Sequence, residues 1–274
     1  MLVNRIALVP GRLPKGAQAT VLDEIRAVAA SLQTQVARDF RPFWAIDATV
    51  TAFASAEDVP LGFWPIFVQT LNDPRDSGYH RDKFHQPYAR VAYDPAHPTE
   101  WSLTASHEVL EMLADPSGDR LVAGPTIDKR YRHNRVLYAL EVCDPCEDTA
   151  YSYTIDGVLV SDFITPHYHD PDHSAGARYS YTGAVTRPRQ VLPGGYLDWQ
   201  DPALGYWFEF YYKSANSRIH KTERLPGRGS LREQANALTP HYTTVQQPRG
   251  ARVAEAHDKR RAGAAASRAR ARTW

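Results

Sequence analysis

Between Trp101 and Pro116 the chain reads Trp-Ser-Leu-Thr-Ala-Ser-His-Glu-Val-Leu-Glu-Met-Leu-Ala-Asp-Pro, and His107, Glu108 and Glu111 in it are the residue types from which a metal site is built. A helix is expected to carry them. Thr99 after Pro98 can cap its start, Glu100 suits the positive first turn, and Pro116 disfavours helical geometry at Asp115. Leu103, His107, Leu110, Glu111 and Ala114 recur every three or four residues, which stacks His107 over Glu111 at about 5–6 Å between Cβ atoms. Two ligands can then share one cation. Glu108 lies about 100° further round the helix axis, at the flank, where a carboxylate can take a proton from metal-activated water without ligating the metal.

The arrangement differs from the zinc-protease pattern H-E-x-x-H by one residue, Glu111 standing where the second histidine would be. A carboxylate neutralises more of the cation than an imidazole does and leaves its water less acidic. Zinc is the first expectation, with manganese, iron or calcium also compatible with an oxygen-rich set. A third ligand has to come from further along the chain. Glu141, in Glu-Val-Cys-Asp-Pro-Cys, is the first choice. Asp144 is the runner-up, placed by the alternation of a strand ending at Val142 to receive the other N–H of His107. His80 or His169 could steady a developing oxyanion. His167, His169 and His173 lie close enough to bind a metal, though their surroundings are rich in loop formers and a solvated loop is the more economical reading.

Cys143 and Cys146 are the only cysteines of the 274 residues. That excludes a disulfide framework and a four-cysteine zinc site within one chain, and two reduced, partly buried thiols are expected. The opening residues are not a basic-then-apolar leader, and no apolar run is long enough to span a bilayer. A cytoplasmic protein without membrane contact is the expectation. The net charge of +1 hides an asymmetry, because residues 249–274 hold eight Lys or Arg against two acids. Such a tail has little to bury and is expected to be flexible, with weak nucleic-acid or acidic-surface contact as its conceivable use.

The rest of the chain must position these side chains. Asn4–Val9 reads as a strand and Ala17–Asp39 as a long core-packing helix, followed by strands at Asp47–Phe53, Gly62–Leu71 and Gln86–Tyr93. Pro87 at the start of the last is compatible with a sheet edge. Residues 115–128 read as loop and 131–143 as extended. Tyr151–Thr165 is a hairpin around Asp156-Gly157, and 179–185, 191–199 and 206–212 read as short aromatic strands.

Several of these pieces, taken in order, are Gln35–Trp44, Gly78-Tyr-His80, Pro87–Val91, Ser106–Pro116, Glu141–Cys146 and Gly157–Phe163. Through them the first 170 or so residues resemble an uncharacterised bacterial family of zincin-like metalloproteins or metallopeptidases, marked by Ser-His-Glu-x-x-Glu-x-x-x-Asp-Pro and a downstream Glu-x-x-Asp-x-Cys. The resemblance implies that His107, Glu111 and Glu141 face the metal, Glu108 is the base and Asp115 supports the site. The expected fold is α+β, a zincin-like mixed sheet packed on a backing helix and an active-site helix, followed by short β-hairpins and a basic tail. Segments 1–175, 176–225 and 226–274 would be the metal-binding domain, a β-rich extension packed on it and the tail. The expected activity is metal-dependent hydrolysis of a peptide or protein substrate. The alternative is an inactive zincin-like binding protein whose metal braces the fold.

Overall fold

The computed structural model describes residues 3–14, 16–71, 77–93, 100–131, 134–203, 205–212 and 218–222; the expected cap at Thr99 and the tail 226–274 lie outside them. The order is β1 (Asn4–Pro10), α1 (Gln18–Thr34), α2 (Arg41–Trp44), β2 (Ala48–Ala52), β3 (Trp64–Gln69), β4 (Gly78–Lys83), β5 (Gln86–Ala92), α3 (Glu100–Ala114), β6 (Leu121–Pro125) and β7 (Arg135–Ala139). Then come β8 (Tyr153–Ile155), β9 (Val158–Val160), β10 (Tyr196–Asp201), β11 (Tyr206–Tyr211) and β12 (Arg218–Thr222). The chain is a mixed α+β protein with few helices.

The first sheet has the order β2-β1-β3-β5-β4. Its strands are parallel except β4, which runs antiparallel along β5. Central β1 buries Ile6, Ala7, Leu8 and Val9 in succession, as a strand covered on both faces must. α1 packs on β1 and β2 through Val21, Ile25, Val28, Ala29 and Leu32, and α3 packs beside it on β4 and β5. α1 does not run straight to Asp39 as the apolar spacing implies. Residues Gln35–Phe40 widen into a π-helical stretch before α2, which ends at Ala45 in a left-handed conformation (φ 53°).

β5 is an internal strand, not the expected edge, since β3 and β4 flank it. Pro87 is tolerated at the start of the strand because its register partner is Asp82 of β4, while the pairing with β3 begins only at Ala89. The edge strand on the α3 side is β4, with β2 at the opposite edge.

The second sheet, antiparallel, has the order β12-β11-β10-β7-β6. It takes two strands from the segment 1–175 and three from 176–225, so the two expected segments share one sheet. They also share one core, which runs from Ile6 to Phe208. The region 115–128 is not all loop, because Leu121–Pro125 pairs with Arg135–Ala139. Of the three aromatic runs expected as strands, β10 and β11 form, while 179–185 contributes only an isolated bridge between Ser180 and Ile164. The hairpin β8–β9 turns at Asp156 and Gly157, both at positive φ (50° and 81°), as a two-residue type I′ turn requires.

α3 is enclosed from both sides, by β4 and β5 below and β9 above. Twelve of its fifteen residues are buried, so its polar side chains point into protein. The approach of β4 is close. A Cβ on Gly78 would stand 2.5 Å from Thr104 Cγ2 and 3.3 Å from Glu108 Oε1, so only glycine fits there.

Candidate metal centre

Three segments far apart in sequence meet at the buried face of α3. α3 itself gives His107, Glu108 and Glu111. β4 brings His80, the residue after α3 is Asp115, and the stretch following β7 brings Glu141, Cys143, Asp144 and Glu147. Six carboxyl groups are buried here, with Glu111 fully inaccessible.

His107 Nε2 lies 2.8 Å from Glu111 Oε1 and 3.1 Å from Asp144 Oδ1. The first distance realises the helical stacking of i and i+4. The second differs from expectation. Asp144 meets the same ring nitrogen as Glu111 instead of bracing the opposite one, because β7 stops at Ala139 and the chain turns at Asp144–Cys146 in a 3₁₀ helix. Strand alternation therefore does not reach Glu141 or Asp144. Both carboxylates thus approach one ring nitrogen, and Glu111, Glu141 and Asp144 offer oxygens within 4.8 Å of one another.

Glu147 was not foreseen. It forms a group of the same tightness with His107 and Asp144. The signal lay in the spacing of Asp144 and Glu147, three residues apart, since side chains at i and i+3 eclipse in a 3₁₀ turn. Cys143 joins His107 and Glu111 in a further group, and its backbone N–H donates to Glu111 Oε1 at 3.3 Å. Both cysteines are free and buried. Burial, with acids nearby, pushes the Cys146 thiol well up, so it stays protonated at neutral pH.

On the other side of Glu111 stands His80. Its Nδ1 is 3.4 Å from Glu108 Oε2 and 3.8 Å from Glu111 Oε2, and its Nε2 is 3.2 Å from the carbonyl oxygen of Asp115. Asp115 is itself held, its carboxylate accepting from the backbone N–H groups of Asp119 and Arg120. Burial raises the Asp115 carboxyl, with His80 and these two donors acting against it.

Among the described residues, His167, His169 and His173 do not gather into a metal-binding group. His167 pairs with Asp170 at 2.8 Å, and His173 lies against the Tyr179 ring. His169 stands edge-on to Tyr168, with neither ring nitrogen hydrogen-bonded among the described residues.

The donor set suits a divalent cation. Two imidazoles and six carboxyl groups buried together are the ligand types that a divalent cation takes. No family model matches the chain, and no curated protein and no solved structure is significantly similar to it. No helix among the described residues is long and apolar enough to cross a membrane.

Proposed function

We propose that the chain is a divalent-cation-dependent hydrolase of the peptidase type, with zinc the first choice of metal and manganese, iron or calcium as alternatives. The observation that carries the reading is the convergence of Glu111 Oε1 and Asp144 Oδ1 on His107 Nε2, with Glu108 one residue along the same helix. His107, Glu111, Asp144 and Glu141 would hold the ion. A cation so held supplies Lewis acidity, polarising a substrate carbonyl and making water a better nucleophile. Glu108 takes the proton at its carboxylate, beside which His80 Nδ1 stands 3.4 Å away. Asp115 keeps His80 in place through its carbonyl. The five-stranded mixed sheet with one antiparallel edge strand beside α3 supports the zincin-like reading of the architecture.

The test is hydrolysis of a peptide library by protein carrying one equivalent of metal, set beside Glu108→Gln with the same metal content. The reading requires a loss of about a hundredfold or more, the usual size of a general-base contribution. Equal rates, or no hydrolysis by either protein, would remove it.

The depth of the cluster favours a second reading, a cation that braces the fold without turnover, since Glu108 is 1 % and Glu111 0 % exposed. In that case chelation lowers the melting temperature while no peptide is cleaved.

A further inference from the structure

We propose that the cluster holds two cations, with Glu111 as the bridge between them. The proposal rests on the first cation at His107, Asp144 and Glu111 Oε1. It adds a second between His80 Nδ1, Glu108 Oε2 and Glu111 Oε2.

The argument begins with Glu111, which is fully buried. Its two oxygens face opposite ways. Oε1 is engaged by His107 Nε2 and by the Cys143 N–H. Oε2 has no hydrogen-bond partner, and the nearest ring nitrogen, His80 Nδ1 at 3.8 Å, is beyond hydrogen-bonding reach. A buried carboxylate oxygen without a partner is costly, and the gap is wide enough to seat an ion between the two atoms.

His80 supplies the second observation. Its Nε2 faces the Asp115 carbonyl, which can only accept, so the proton sits on Nε2. In the neutral ring Nδ1 then carries the lone pair, aimed at Glu108 and Glu111. A ring N–H on a backbone carbonyl is the usual support of a metal-ligating histidine, fixing both tautomer and orientation. Glu108 Oε2 completes the set, and all three donor atoms lie within 4.8 Å of one another. Among the described residues the two histidines fall in separate groups of that tightness. The second ion engages Glu108 through Oε2 alone, which leaves Oε1 for the proton-accepting role given above. The mixed nitrogen and carboxylate set suits zinc or manganese at both positions.

The rival account of the same geometry is a protonated His80 lying between two carboxylates with no ion. Metal stoichiometry separates the two. Protein stripped with a chelator and titrated calorimetrically with Mn²⁺ should take up two equivalents, and electron paramagnetic resonance of the loaded protein should show a spin-coupled pair. His80→Gln and Glu108→Gln should each keep one equivalent and weaken the other by about a hundredfold or more. Glu111→Ala should lose both. Circular dichroism and the melting temperature of each variant establish that it folds, and two separate variants of the second site guard against the failure of one. A single uncoupled equivalent in the parent would overturn the second site while leaving the first. Two equivalents retained by both His80→Gln and Glu108→Gln would overturn the assigned ligands. No uptake at all would sink both this proposal and the reading it rests on.

Discussion

Ser106, the residue before His107, donates from its hydroxyl to Gln35 Oε1 at 2.8 Å and accepts from the Ser161 N–H at 2.9 Å. Gln35 returns the link by donating to the Ser161 carbonyl at 3.0 Å. α3 is thus tied to the π-helical stretch after α1 and to the chain leaving β9, all without exposure to water. Replacing Gln35 by Leu leaves the Ser161 carbonyl without that donor and removes the acceptor of the Ser106 hydroxyl. A loss of about 1–3 kcal/mol is expected in urea unfolding. A change near zero would mean that the network adds nothing to stability.

Asp144 shares His107 Nε2 with Glu111, so it is expected to behave as a ligand and not as a brace. Calorimetric titration should show Asp144→Ala losing tight binding of the first cation as fully as His107→Ala and Glu141→Ala do. A loss of only about ten- to a hundredfold for Asp144→Ala, with Glu141→Ala abolishing binding, would return Asp144 to a supporting place.

Gly78 sets the distance between β4 and α3. Gly78→Ala forces a methyl to within 2.5 Å of Thr104 Cγ2 and should destabilise by about 1–3 kcal/mol. Adding Thr104→Ala should recover part of the loss in a double-mutant cycle, since the two residues are in contact. Strict additivity would place the clash elsewhere, for instance at the Arg90 carbonyl, 3.1 Å from the same Cβ.

The turn between β4 and β5 puts Phe84 and His85 at positive φ (53° and 63°), between the paired residues Lys83 and Gln86. Bulky residues pay about 1–2 kcal/mol each for that conformation. Phe84 is 90 % exposed and has little packing to lose. Phe84→Asn together with His85→Gly should raise stability by about 1–2 kcal/mol, read from the midpoint of denaturant unfolding. An unchanged or lower midpoint would show that Phe84 holds a contact outside the turn.

His169 is held down to about 4 by burial first, with the Arg189 charge adding to it. A folded-state value below that of the unfolded chain, ordinarily about 6.5, means that the unfolded chain binds more protons between the two. Stability is therefore intact above about pH 6.5 and falls as the pH drops towards about 4, by an amount on the order of 3 kcal/mol. His169→Phe, which keeps an aromatic ring against Tyr168, should flatten that acid-side decline. The check is unfolding at pH 7 and 4.5 in both proteins, and parallel declines would count against this histidine.

How far the molecule could be read from its sequence varied with the physics of each part. The motif helix and the hairpin at Asp156-Gly157 were legible, because Pro116 ends one and left-handed turn geometry demands the residues of the other. The β4–β5 hairpin was not, since Phe84-His85 is no turn signal and the strain is absorbed by six paired positions on either side. Apolar spacing runs on unbroken from Leu32 through Val36 to Phe40, so nothing marked the π-helical widening that brings Gln35 to Ser106. The acids after β7 were found as a cluster, but their register was misjudged. Glu141-Val142-Cys143 continues the alternation of a strand that has already ended, and only the 3₁₀ turn puts Asp144 and Glu147 together.

β4 is hydrogen-bonded to a neighbour on one side alone, and it carries His80. Of the routes by which the buried acids could meet water, peeling this strand from β5 breaks one ladder and leaves the four parallel-paired strands whole. An ion shared by His80 and α3 would then act as a clasp, fastening an edge strand of the sheet to the enclosed helix beside it. Loading would slow amide exchange along β4 far more than along β1. The gate through which an ion arrives would be the one that its arrival shuts.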